Sequence, residues 1–184
     1  MVIGDSISAG YGVEGIEPCT WSASTENVLD SYATLVAAAV DAEVIVVAWS
    51  GKGMVRNYGD VNTTSKDPMP IYYNRTLANI PSSYWNPQGY TPDIVLVALG
   101  ANDYSTTPHP SDEDFRNGYI NLLTQIRSDY PSAQIATICE PYTFDHECEN
   151  VKYVADTMGA VYIKITDDIY VTPKGCDGHP SFQG

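Results

Sequence analysis

The feature that most constrains this chain is an alternation of two periodicities: short β-branched runs, separated by segments whose apolar residues recur at helical spacing. Val2-Ile3, Glu43 to Ala48, Ile94 to Leu99, Gln134 to Ile138 and Val161 to Ile165 read as five strands. Tyr32 to Asp41, Phe115 to Tyr130 and Asn150 to Met158 read as helices, the last stopped by Gly159. Apolar strands spaced by helices pair in parallel and are covered on both faces, because each parallel connection must cross over the sheet. The expected fold class is therefore α/β, a three-layer α/β/α sandwich around a five-stranded parallel sheet. The Phe115 helix is the clearest: Ser111 offers an N-cap, Asp112, Glu113 and Asp114 suit the positive end of a helix dipole, and Phe115, Tyr119, Leu122, Leu123 and Ile126 form one stripe. Gly53 to Asp93 breaks the pattern with Pro68, Pro70, Pro81, Pro87 and Pro92. It is expected to hold a helical turn or two around Met69 to Ala78 and to lie over the carboxyl ends of the strands, where open parallel sheets place ligands.

Charge excludes several classes of partner. With 9 Lys and Arg against 23 Asp and Glu in 184 residues, the chain carries a net charge of -14, whereas nucleic acids and anionic membranes are bound by clustered cations. No apolar run approaches the ~20 residues of a membrane-spanning helix. The opening Met1-Val2-Ile3 has neither basic nor apolar leader character, so no secretory signal is visible. The high acidity and 14 tyrosines suit an extracellular protein. Four cysteines, at 19, 139, 148 and 176, lack the Cys-x-x-Cys spacing of structural zinc, so disulfides are favoured over metal, with Cys139 and Cys148 able to close a short loop. Pairing against free thiols is left open by sequence.

The chemistry begins directly after the first strand, at Gly4-Asp5-Ser6-Ile7-Ser8-Ala9-Gly10. Ser6 falls at the carboxyl end of that strand among small residues that let a substrate reach the backbone, which suits a nucleophile whose own N–H faces a developing oxyanion. Gly100-Ala101-Asn102-Asp103 follows the Ile94 strand and brings an amide to the same end. Ser50-Gly51-Lys52-Gly53 follows the Glu43 strand and adds backbone donors. His109, between two prolines, and His146, in a charged stretch, read as loop residues, and Asp5 reads as a hydrogen-bonding neighbour of the nucleophile.

These blocks, with Asp177-Gly178-His179-Pro180, resemble those of the SGNH hydrolases, also called GDSL esterases, in order and spacing across nearly the whole chain. The resemblance implies the flavodoxin-like SGNH fold, Ser6 as nucleophile, His179 as base, and an oxyanion hole of Ser6, Asn102 and a glycine of the 50–53 turn. Gly53 is the preferred glycine and Gly51 the runner-up. The strings GDSISAGYGVEG, SGKGMVRNY, MPIYYNRT, PDIVLVALGANDYS and GCDGHPS resemble carbohydrate esterase family two, which removes acetyl groups from plant polysaccharides. That likeness implies an acetylated polysaccharide or oligosaccharide as substrate, no metal or organic cofactor, and action outside the cell. It also leads us to expect a β-rich domain before this segment and a final helix after it, neither of which the sequence contains.

One departure bears on mechanism. The family's usual acid lies three residues before the histidine, where this chain has Cys176; Asp177 stands two before. Either Asp177 reaches round to His179 and completes a triad, or a backbone carbonyl orients the ring and the site is a dyad. Tyr58 and Tyr142 are the expected sugar-stacking residues, with Trp21 and Tyr104 also placed near strand ends. A short-chain lipid esterase or thioesterase, and a glycan-binding module with weak esterase activity, are the alternatives. The Tyr, Asn and Pro content of Gly53 to Asp93 favours a polar ligand over an acyl chain.

Overall fold

The computed structural model describes residues 1–140, 145–165 and 173–182. Five parallel strands, β1 (Val2–Gly4), β2 (Val46–Ala48), β3 (Ile94–Ala98), β4 (Gln134–Cys139) and β5 (Val161–Lys164), form one sheet in the order β2-β1-β3-β4-β5. All five lie within the runs read from sequence, to within a residue at most ends. The β2 run is shorter than expected, since the ladder to β1 begins with Val2 opposite Val46.

The strand order reverses at β1, so crossovers of the same hand run in opposite directions and place their helices on opposite faces. On one side lies α2 (Tyr32–Ala39), which buries Ala33 and Ala37 and sits close to the short α1 (Ser6–Ala9). On the other lie α5 (Asp112–Asp129) and α6 (Asp145–Met158), whose inward residues share one core with Ile3, Val95, Val97 and Leu99. The α5 stripe behaves as its spacing predicts, with Phe115, Tyr119, Leu122, Leu123 and Ile126 all buried. The Ser111 hydroxyl caps the helix by accepting from Asp114 N–H at 3.1 Å. Helix α6 starts earlier than the sequence suggested, at Asp145 rather than Asn150, and His146 therefore stands in its first turn. Cys148, Val151, Val154 and Ala155 are its buried face, and the acidic residues ahead of them hide the start of that stripe.

The 53–93 stretch corrects an expectation. Its first third does lie at the carboxyl ends of the strands, but the chain then forms α3 (Met69–Tyr73) and runs back along the α5 face toward their amino ends. Tyr73 Oη donates to Asp129 at 2.8 Å and Trp85 Nε1 to Tyr130 Oη at 2.8 Å, both at the far end of α5. Burial drives this course, because Met69 and Tyr73 are almost wholly enclosed in the core of Tyr119, Leu122 and Tyr130.

Both disulfides are between described cysteines, Cys139 to Cys148 and Cys19 to Cys176, and no free cysteine remains. The second ties the loop after α1 to the turn that carries His179. Core packing sets the scale of stability: Leu123→Ala should cost about 3 kcal/mol in urea unfolding. Leu77→Ala, at a side chain 54% exposed, should stay within about 0.5 kcal/mol. Equal effects would contradict the assignment of the core to the α5 face.

Candidate active site

The site forms where the order of strands reverses, at the carboxyl ends of β1, β2 and β3. After β1 the chain turns at once into α1, and Asp5 caps it by accepting from Ile7 N–H at 3.0 Å. The turn needs Gly4, because a Cβ there would lie 2.0 Å from Ser8 Oγ. Ser6 opens the helix with its hydroxyl toward the cleft. His179 Nε2 lies 2.9 Å from Ser6 Oγ, within hydrogen-bond reach of the proton it would take.

The other imidazole nitrogen settles how the ring is held. His179 Nδ1 lies 3.2 Å from the backbone carbonyl of Cys176, which also accepts from His179 N–H at 3.1 Å. A carbonyl can only accept, so the ring proton belongs on Nδ1 and the lone pair on Nε2. Of the two arrangements left open by sequence, the triad with Asp177 is not the one formed here. Asp177 adopts φ +51°, and its Oδ2 turns outward to accept from Tyr11 Oη at 2.6 Å and Trp21 N–H at 3.1 Å. The two-residue spacing aims its carboxylate away from Nδ1.

Asn102 comes from α4 (Ala101–Tyr104), directly after β3, and its Nδ2 donates to Asp5 Oδ2 at 2.7 Å and to the Lys52 carbonyl at 3.1 Å. Ser6, His179 and Asn102 thus share one cleft, with Tyr58 on its wall, 63% exposed. The preferred glycine does not join them. Gly53 N–H donates to Asn57 Oδ1 at 3.3 Å, and a Cβ on Gly53 would lie 1.9 Å from the Arg56 carbonyl and 2.5 Å from Asp103 Oδ2. Gly53 is packed beneath the loop, while Gly51, at φ +79°, lines the cleft. Tyr142 lies outside the described residues. Tyr104 is a core residue rather than a sugar platform, enclosed against Phe115 and accepting from Asn150 Nδ2 at 3.0 Å. Trp21 borders the site through its backbone, and its indole N–H donates to Glu26. His146 Nε2 pairs with Asp112 at 2.7 Å, away from the cleft.

Sequence reasoning missed Asp103. Its carboxylate accepts from three successive amides, Met54 at 2.7 Å, Val55 at 2.8 Å and Arg56 at 2.8 Å, and so fixes the loop after β2 to the loop after β3. Its place next to Asn102 was the one available signal. Arg56, fully buried, braces the same loop by donating to the carbonyls of Asn62 and Asp60 and to Thr106 Oγ1.

The cleft measures about 840 Å³ and is bordered by polar groups from Ser50, Ser105, Asn102 and Lys174. Among the described residues, no group of three His, Cys, Asp or Glu is arranged to hold a metal ion. Burial lowers the His179 pKa below its ordinary 6.5, which keeps the ring neutral near neutral pH, with Nε2 free to accept a proton. Burial also raises Asp5 to about 7 and Asp103 to about 6, and lifts Glu140 and Glu147 well above the carboxylate range.

The sequence profile of the GDSL-like lipase/acylhydrolase family matches residues 2–174. The chain belongs to that family. Among curated relatives, the cellulase/esterase CelE of Acetivibrio thermocellus is 35% identical over 136 residues, covering 72% of this chain and 16% of that protein. An acetylxylan esterase / glucomannan deacetylase of Cellvibrio japonicus is 28% identical over 159 residues, covering 85% of this chain and 44% of that one. A solved family two carbohydrate esterase from Clostridium thermocellum, in complex with cellohexaose, superposes with a TM-score of 0.90 at 29% identity, over 99% of this chain and 58% of that one. A carbohydrate esterase family 2 enzyme with a carbohydrate binding domain from Corynascus gives 0.88 at 30%, over 99% and 60%. The chain therefore spans about half or less of the curated relatives it matches.

The buried carboxylates have a measurable consequence. Each has a folded-state pKa above its unfolded value, so the native state binds more protons than the unfolded chain, and stability falls as pH rises from about 4 toward the raised values. Partly exposed Asp60, Asp67 and Asp112 shift the other way, but solvent screens their contribution, and His179, lowered by burial, opposes the trend as a single group against four buried acids. The melting temperature should thus be higher at about pH 5 than at about pH 8. A midpoint that rises across this range would show that these acids are not buried as described.

Proposed function

We propose that this chain is a carbohydrate esterase that removes O-acetyl groups from a plant cell-wall polysaccharide through a serine acyl-enzyme. The observation that carries the reading is the 2.9 Å contact of Ser6 Oγ with His179 Nε2 in an open cleft. His179 takes the Ser6 proton as Oγ attacks the acetyl carbonyl, and the oxyanion is met by the N–H groups of Ser6 and Gly51 and by Asn102 Nδ2. The Asn102 hydrogen directed at the Lys52 carbonyl turns to the oxyanion as charge develops. The imidazolium protonates the leaving sugar hydroxyl. Water activated by the same histidine then hydrolyses the acetyl-serine.

The named relatives support xylan or glucomannan as the substrate class, and the cellohexaose bound by the Clostridium esterase supports a cleft able to take a glycan chain. Tyr58, exposed at the rim, is the proposed stacking surface for a sugar ring. The two disulfides support action outside the cell, where such bonds persist.

Acetate release from acetylated xylan and acetylated glucomannan, compared with short and long acyl esters, tests the substrate class; a preference for long chains would overturn it. Ser6→Ala and His179→Ala should each abolish release without changing the melting curve. Asp177→Asn should lower turnover by less than about 10-fold, against the roughly 10⁴-fold expected if its carboxylate held the tautomer. A loss of the larger size would restore the triad.

A further inference from the structure

Tyr11 joins the proposed nucleophile to the proposed base, and the acyl-transfer steps give it no part. Its N–H donates to the Ser6 carbonyl at 3.0 Å, closing the turn after α1, so its position is set by the element that carries the nucleophile. Its ring stacks on the His179 imidazole, centroids 4.1 Å apart and planes inclined by 26°. Its hydroxyl donates to Asp177 in the turn that carries the base. One side chain therefore spans the two elements whose reacting atoms stand 2.9 Å apart.

A base oriented by a neutral carbonyl lacks a carboxylate bonded to its Nδ1, and the Asp177 charge, turned outward, reaches the ring only through space. An aromatic face attracts a cation through its quadrupole at centroid distances within about 6 Å, and the Tyr11 ring lies inside that range. The same face also blocks rotation of the imidazole, so that Nε2 keeps its direction toward Ser6. We propose that Tyr11 is a positioning residue for His179, its aromatic face holding the ring toward Ser6 and favouring the imidazolium as Ser6 loses its proton. The hydroxyl bond to Asp177 serves the turn and is secondary. This inference rests on the Ser6–His179 reading and adds to it a residue that none of the motif blocks assigns.

Tyr11→Phe, Tyr11→Leu and Tyr11→Met separate the ring from the hydroxyl. Two readouts apply: kcat and KM on a short acetyl ester, and the rate at which a fluorophosphonate labels Ser6. In the labelling, the Ser6 Oγ–P bond forms, the P–F bond breaks with loss of fluoride, and the serine proton passes to His179. Tyr11→Phe should stay within about 5-fold of the parent in both. The Leu and Met variants should lose on the order of 10-fold in kcat and labelling rate, with KM within about 2-fold of the parent. Met keeps bulk without a π face, so it decides the matter should the Leu variant fail to fold. Parent-like rates in the folded Leu or Met variant would overturn the proposal. So would a loss confined to KM, which would make Tyr11 a wall of the substrate cleft, or equal losses in Phe and Leu, which would assign the effect to the hydroxyl. Failure of the parent protein to label at Ser6 would instead remove the serine mechanism, and this inference with it.

Discussion

The site depends on a hydrogen bond between two loops far apart in sequence, from Asn102 Nδ2 to the buried Asp5 carboxylate. Asp5 also caps the helix that opens with Ser6, so one carboxylate sets the direction of the proposed nucleophile and of a proposed oxyanion donor together. Asp103 extends the frame to a third loop through its three backbone acceptor contacts. Removing carboxylates from water is costly, and it is tolerable here because each has N–H donors that satisfy it when ionised and a raised pKa that lets it carry a proton when not. The frame exists before substrate arrives. Donors held in place in advance lower the barrier in many acyl-transfer sites more than any other single effect; here Asn102 has only to exchange its bond to the Lys52 carbonyl for one to the oxyanion.

The turn bearing His179 is held by a different set of constraints. Cys176 is joined to Cys19 by a disulfide, and its N–H donates to the Gly12 carbonyl at 3.1 Å. Asp177 N–H donates to the Cys19 carbonyl at 2.9 Å, and the Asp177 side chain takes two further bonds from Tyr11 and Trp21. These contacts hold Asp177 at a positive φ that a non-glycine residue rarely adopts. They leave the Cys176 carbonyl facing the imidazole. The acidic side chain that sequence nominated as a catalytic partner instead anchors the turn that presents a neutral one.

What was legible in the sequence follows from what sequence encodes. Strand positions and α5 could be read because β-branched runs and the Phe115 to Ile126 stripe report burial directly, and Ser6, Asn102 and His179 because each follows a recognisable block. The start of α6 was hidden because its first turn is polar in sequence, although one of those residues, Glu147, is buried. The course of 69–85 was hidden because Tyr and Trp bury a ring while keeping a polar tip, so their burial against α5 leaves no apolar stripe. The choice between Gly51 and Gly53 turns on which amide faces the cleft, and counting residues from a strand does not report that. The partner of His179 Nδ1 is a main-chain oxygen, and every residue has one. Only the absence of an acid at position 176 hinted at it.

The central claim is that a backbone carbonyl, not a carboxylate, fixes the tautomer of His179. The chain has three histidines, so ¹⁵N-detected imidazole spectra can be assigned by difference with a His179→Gln variant. Near neutral pH, His179 should be neutral, protonated on Nδ1 and bare on Nε2, and its spectrum should be unchanged in the Asp177→Asn protein. A proton on Nε2, or a change of tautomer in Asp177→Asn, would contradict the carbonyl-held dyad.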